Sequence, residues 1–261
     1  MSEIMPIKPI NFVCPTCKRP LRSGENALQC SECHLTYPIV GGIPDFLSEN
    51  ELASVAPNYR EIKRLEFLAP IYEGRLWQSF ILNLAGGYSS SLQSIANFIA
   101  ETLAGVTGVV LDVACGPATY GRRMASPQRS VYGIDFSMGT LQQGMKNIAR
   151  DGISNIHLAR TRVEELPFEG AVFDGAICSG SLHLFPDTVR ALQEVARTLK
   201  AGAPLSVQTF VPKSLKDSRG GLSYTQPELQ HYVAEAGFEA FQYSLAGTSI
   251  TFSVKKTLQG A

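Results

Sequence analysis

From residue 106 onward, short apolar runs alternate with segments whose apolar residues recur at helical spacing. "GVVLDVA", "SVYGIDF", "NIHLAR", "FDGAICS" and "PLSVQTF" read as strands, while "MGTLQQGMKNIARDG" and "TVRALQEVARTLKAG" have helical periodicity and stop near Gly152 and Gly202. Such alternation predicts parallel strands covered by helices on both faces. "TQPELQHYVAEAGF" opens on a Thr225 cap with Pro227 in its first turn and stops at Gly237. "EAFQYSLAGTSITFSVKK" then predicts two strands folded about Gly247. The expected fold is α/β, a doubly wound, mostly parallel seven-stranded sheet with a C-terminal antiparallel hairpin.

The first hundred residues break this rhythm. "LSENELASVAPNYR" is polar and interrupted by Pro57, which places a boundary near residues 48–58. "YREIKRLEFLAPIYEGRLWQSFILNLAGG" has helical spacing, broken at Pro70 and ended by Gly86 and Gly87, and "SSSLQSIANFIAETLAG" brings Leu92, Ile95, Ile99 and Leu103 to one face. Three units follow: residues 1–48, 49–105 as linker and helical cap, and 106–261. Tyr72, Arg75 and Trp77 either line a substrate pocket or pack helices together, and packing is the commoner fate of such residues.

Four of the six cysteines crowd the first unit. Cys14, Cys17, Cys30 and Cys33 form two Cys-x-x-Cys pairs, a spacing that offers four thiolates to one tetrahedral zinc. A pair of disulfides or a redox dithiol is the rival. A site closed by four sulfurs leaves no position for water, so the expected Zn2+ is structural and stabilises a small ribbon. His34 is an alternative ligand or a surface residue of the second knuckle. "TYPIVGGIPDFL" reads as a hairpin about Gly41 and Gly42.

Composition narrows the class of partner. Lysine plus arginine equal aspartate plus glutamate, 23 against 23, so no global positive field draws nucleic acid, although Lys18, Arg19 and Arg22 cluster near the first knuckle. No apolar run reaches membrane-spanning length and no basic-then-apolar leader opens "MSEIMPIKPINF", so the expected location is cytoplasmic, with no membrane span.

The chemistry concentrates in "VVLDVACGPATYGRRMA", residues 109–125, where a strand runs through Asp112 into a turn of small residues. Gly116 lets a ligand approach the backbone, Ala114 and Ala118 keep side chains small, and a helix start near Thr119 would offer free N–H groups. Asp135 closes the second strand nineteen residues after Gly116, placed to accept hydrogen bonds from a ribose diol. The loop alone fits NAD nearly as well as any other nucleoside ligand.

The wider order "VVLDVACGPAT", "VYGIDFS", "LPFEGAVFDGAICSGSLHLFPD" and "LQEVARTLKAGAPLSVQTF" resembles the class I S-adenosylmethionine-dependent methyltransferases across residues 106–255. Residues 11–47 resemble the zinc ribbon of the small activator subunit that partners RNA and protein methyltransferases. The first resemblance implies S-adenosyl-L-methionine as cofactor. It places Asp112 under the methionine moiety, the backbone of Ala114, Cys115 and Gly116 along the cofactor, Asp135 on the ribose and Phe136 on adenine. Val163 would meet the adenine edge and Ser179 would lie beside the sulfonium. Arg162 stands where the family usually carries an acidic acceptor for the adenine amino group, and arginine has only donors. His183, titrating near neutrality, either takes a proton from the acceptor or shapes the pocket.

Together these readings predict a methyltransferase acting on a small or lipid-like molecule, in a pocket roofed by the helices of the cap and by "VPKSLKDSRGGLSYTQ". The ribbon is a candidate surface for a protein partner. Two other readings stay open: a non-catalytic cofactor-binding or regulatory protein of the same fold, and a ribosomal-RNA base methyltransferase.

Overall fold

The computed structural model describes residues 7, 9–47, 91–212 and 223–258. Tyr72, Arg75, Trp77 and most of the segment 211–226 expected to cover the acceptor lie outside them.

The large sheet contains β5 (Gly108–Val113), β6 (Arg129–Asp135), β7 (Ile156–Arg160), β8 (Gly175–Ser179), β9 (Pro204–Phe210), β10 (Phe238–Ala246) and β11 (Ser249–Lys256). Their order is β10-β11-β9-β8-β5-β6-β7. Strands β5 to β9 pair in parallel, and β11 runs antiparallel between β9 and β10. The chain leaves β5 toward β6 on one side, and β8 returns on the other side of β5. The crevice at that reversal, beyond the strands' carboxyl ends, is where open α/β sheets bind ligands.

The central strands are apolar on both faces because both are covered. One face receives α1 (Leu92–Thr102) and α3 (Met138–Arg150), through Ile95, Ile99, Leu141 and Ile148. The other receives α4 (Thr188–Thr198) and α5 (Gln226–Glu235), through Leu192, Val195, Leu229 and Val233. Caps fix where the helices begin: Ser137 accepts from the Thr140 amide, Asp187 from that of Arg190, and Thr225 and Glu228 form a reciprocal capping box. Helix α1, assigned from sequence to the cap, is seated on the sheet. Its apolar stripe finds its partner there rather than over a pocket.

At the N-terminal end, β1 (Arg22–Ser23), β2 (Ala27–Gln29), β3 (Thr36–Val40) and β4 (Ile43–Pro44) form an antiparallel sheet in sequence order. The hairpin between β3 and β4 turns on Gly41 and Gly42 at φ 58° and 83°, left-handed values that glycine adopts without strain. This small sheet has no separate core. Phe12 packs on Tyr132 and Phe168 of the large domain, Phe46 packs on Phe12 and Tyr37 on Phe46, and Asp45 bridges in parallel to Arg160 on the outer strand β7. Burying each such aromatic contributes on the order of 2–3 kcal/mol, which is what holds the two parts together. No helix among the described residues is long and apolar enough to cross a membrane.

Candidate cofactor and metal sites

The loop after β5 folds back on itself through three left-handed residues, Ala114 at φ 53°, Gly116 at 52° and Ala118 at 60°. For alanine this conformation costs roughly 1–2 kcal/mol each, so the surrounding contacts must impose it. They do so from three sides. The Cys115 amide donates to the Ile134 carbonyl at 2.9 Å, continuing the β5–β6 ladder, and the Ala118 amide closes onto the Cys115 carbonyl at 2.9 Å. Asn147 of α3 donates to the Pro117 carbonyl at 3.3 Å. Gly144 lets that helix approach: a methyl there would lie 3.3 Å from the Pro117 carbonyl carbon. A methyl on Gly116 would meet nothing within 4 Å, so that turn of the loop is open to an incoming group.

Asp135 spans the loop and the next strand end. Its Oδ2 accepts the Gly116 amide at 2.8 Å and its Oδ1 the Ser137 amide at 2.9 Å. These two bonds fix the carboxylate between the Gly116 turn and the end of β6, with its acceptor oxygens at the mouth of the loop. Phe136, half-buried, follows at once, and its carbonyl accepts from Arg160 Nε at 2.9 Å.

Asp112 lies deeper. It is buried, and its Oδ2 has no hydrogen-bond partner of full geometry. Burial pushes its carboxyl up to about 8; the nearby Gly121 amide pulls it down and the Asp135 charge raises it further. Gly121 accommodates it, since a methyl there would stand 2.9 Å from Oδ2. The helix expected near Thr119 starts at Gly121 and is four residues long, α2 (Gly121–Met124). Its Arg122 amide is already bonded to the Ala118 carbonyl, so this short turn is not a bank of free donors. The Cys115 thiol points at Gly133 rather than toward the open face of the loop, and burial raises it.

Beyond β7, Arg162 caps a 3-10 turn, Val163–Glu165, in which Val163 and Glu164 are buried. Arg162 Nε lies 3.6 Å from Glu164 Oε2, and Glu164 Oε1 has no hydrogen-bond partner. At the end of β8, Ser179 pairs with Gln208 of β9, and Gly180, at φ 79°, donates to the Gln208 carbonyl at 2.9 Å. His183 follows in a second 3-10 turn, Leu182–Leu184, with Nδ1 3.3 Å from Thr209 Oγ1 and its ring 4.9 Å from that of Phe210. Burial pushes it down to about 4, so it is neutral at physiological pH rather than titrating there.

The structure thus joins Asp112, Ala114, Cys115, Gly116, Asp135 and Phe136 into one contiguous group. It sets Arg162, Val163, Ser179 and His183 beyond the same ends of the sheet. Gly121, Gly144 and Asn147 shape the loop without any mark in the sequence beyond glycine inside a helical pattern. The unpartnered Asp112 oxygen, the Asp135 carboxylate held at the loop and the open face of Gly116 fit a ligand that carries an amine and a ribose.

In the ribbon, one sulfur from each of Cys14, Cys17, Cys30 and Cys33 lies within 4.8 Å of the others. Four thiolates about 2.3 Å from one zinc stand about 3.8 Å apart, so this cluster is compatible with a tetrahedral metal. The two knuckles repeat one backbone design: Cys14 donates to the Arg19 carbonyl and Cys30 to that of Leu35, each at 2.9 Å, and Lys18 and His34 are both left-handed, at φ 58° and 56°. His34 is exposed and stands outside the four-sulfur cluster.

Residues 110–202 match the methyltransferase domain family, and residues 12–42 match the Trm112p-like protein family. An uncharacterised chloroplastic methyltransferase of Arabidopsis thaliana is 24% identical over 94% of this chain and 78% of its own length. A demethylmenaquinone methyltransferase of Listeria monocytogenes is 35% identical over 37% of this chain, which spans 42% of that relative. The solved structure of an S-adenosylmethionine-dependent methyltransferase from Aquifex aeolicus superposes with a TM-score of 0.56 at 18% identity, covering 71% of this chain and 97% of that one. The chain thus resembles S-adenosylmethionine-dependent methyltransferases, with a methyltransferase-domain match over residues 110–202 and a Trm112p-like match over residues 12–42 ahead of it.

Proposed function

We propose that this chain transfers a methyl group from S-adenosylmethionine to a small or lipid-like acceptor, and that its four cysteines hold a structural zinc. The observation that carries the reading is the Asp135 carboxylate, tied to the Gly116 amide at the mouth of a strained, open loop. The match to a demethylmenaquinone methyltransferase over part of the chain favours a lipid-like acceptor. The balanced charge disfavours RNA.

The bound cofactor would supply a methyl group already activated on a sulfonium, so the protein's task is alignment and exclusion of water. Asp135 would accept from the ribose hydroxyls and Phe136 would pack on the adenine. Asp112, held at about 8 by burial, ionises when an ammonium comes beside it. The Val163 backbone would hold the adenine edge. Arg162, paired with Glu164, has no acceptor for the adenine amino group and would lie against the ring instead. Ser179 would border the methyl group, and neutral His183, its ring steadied by Thr209 and Phe210, would receive the acceptor's proton.

Calorimetric titration with S-adenosylmethionine tests the cofactor, and mass spectrometry of phenol and quinol acceptors incubated with it tests the transfer. Saturable binding with methylated product supports the proposal. Binding without transfer to any small acceptor would favour a regulatory role, and no binding would end the cofactor reading.

A further inference from the structure

Two chains of contact lead from the cysteine ribbon into the loops that carry the nucleoside-facing residues. The first runs through Asp45. Its Oδ2 accepts from Arg160 Nη1 at 3.0 Å, in a pair whose side chains are 10% and 6% exposed, and the Phe46 amide donates to the Arg160 carbonyl at 2.8 Å. Arg160 in turn lies directly across the β6–β7 register from Asp135 and donates through Nε to the Phe136 carbonyl at 2.9 Å. The next amide, that of Thr161, donates to the Asp135 carbonyl at 3.0 Å. Positions 45, 160 and 135 therefore stand side by side on three adjacent segments.

The second chain starts inside the first knuckle. Lys18 follows Cys17 in the left-handed conformation that closes the turn, with its amide on the Cys14 carbonyl at 2.8 Å. Its ammonium donates to the Leu166 carbonyl at 2.9 Å and to Glu194 Oε1 at 2.7 Å. That same oxygen accepts the Leu166 amide at 3.0 Å, and Arg197 completes the partners of the Glu194 carboxylate. Leu166, the residue that ends the Val163–Glu165 turn, is thus gripped by both its amide and its carbonyl.

Adhesion does not require these charges. The contacts of Phe12 with Tyr132 and Phe168, backed by Phe46 and Tyr37, already join the ribbon to the domain, and a buried ion pair adds little net stability once desolvation is counted. What the ion pairs add is fixed position, delivered to the two loops at the ends of β6 and β7. We infer that Asp45 and Lys18 are positioning residues through which the metal-loaded ribbon holds the nucleoside pocket in its binding geometry, so that metal affinity and cofactor affinity are linked. This rests on the cofactor reading above. Linkage is reciprocal: whatever factor the metal contributes to cofactor binding, the cofactor returns to metal binding.

The test uses the zinc-loaded full chain with S-adenosylhomocysteine as the calorimetric probe. Asp45→Asn and Lys18→Met are each expected to weaken its binding about tenfold, within the range by which residues along a coupling network act. The control Lys200→Met, which breaks the Lys200–Asp174 pair at the opposite end of the sheet, leaves binding unchanged. In acceptor assays the KM for S-adenosylmethionine rises by the same factor while kcat is retained. Equilibrium competition for zinc with a chelator should show tighter metal binding when S-adenosylhomocysteine is saturating. Folded variants that bind within twofold of the parent, together with zinc affinity indifferent to the probe, would overturn the inference while leaving the cofactor reading intact. Should Asp45→Asn fail to fold, Lys18→Met and the zinc competition decide. A parent that binds no probe at all overturns both.

Discussion

The left-handed alanines and the unpartnered Asp112 oxygen mark the proposed cofactor loop more sharply than its glycine does. Ala114 is half-buried at φ 53°, so Ala114→Gly should relieve left-handed strain and stabilise the fold by roughly 1 kcal/mol, read as a rise in Tm. Asp112 carries a charge penalty of the opposite kind. Its folded-state carboxyl, at about 8, lies above the ordinary 3.8, so the folded protein holds a proton that the unfolded chain releases. The corresponding stability is complete below about pH 4 and is lost as pH rises through 8. Asp112→Asn should therefore raise the Tm of the ligand-free protein at pH 8 relative to the parent, with the gain fading toward pH 4, and weaken cofactor binding. His183 works in the other direction. Its folded value of about 4 lies below the ordinary 6.5, so its contribution is complete above about 6.5 and falls as pH drops toward 4. A proton-accepting His183 is already neutral at pH 6, so kcat for an acceptor that does not itself titrate should stay level from pH 6 to 8. A step centred near 6.5 would contradict the buried ring.

Among elements, α3 has the narrowest tolerance. Its apolar stripe was evident from periodicity, but not that Gly144 stands between Leu158 and the back of the cofactor loop, with a methyl placed 3.1 and 3.3 Å from its neighbours. Gly144→Val is expected to push the loop outward, cost about 1–3 kcal/mol and lower cofactor affinity more than an equally destabilising change elsewhere. Chemical denaturation and calorimetry together separate the two effects. The strands were readable because "VVLDV", "VYGID" and "GAICS" are short apolar runs bounded by turn residues. The four-residue α2 was not: no capping residue marks its start, and its extent is set by Asp112 and Ala118 packed against it.

At the scale of the whole molecule, ribbon and methyltransferase domain share one aromatic core. Tyr132, Phe168 and Phe173 are buried, Phe12 covers the first two of them, and the Tyr132 hydroxyl also bonds to Ile10. A chain beginning after residue 47 would expose this surface and should be recovered aggregated, whereas the full chain stays monodisperse in size-exclusion chromatography. Within the sequence, the Cys-x-x-Cys pairs, the strand–loop–acid pattern from Asp112 to Asp135 and the alternation of strands and helices were enough to specify the fold and to nominate the cofactor loop. These features are local, and spacing along the chain carries them. Asp45 meeting Arg160, Lys18 meeting Glu194, the raised carboxyl of Asp112 and the depressed imidazole of His183 came from tertiary structure alone. Each depends on which residues from distant parts of the chain exclude water from the group, and no periodicity along the chain encodes that.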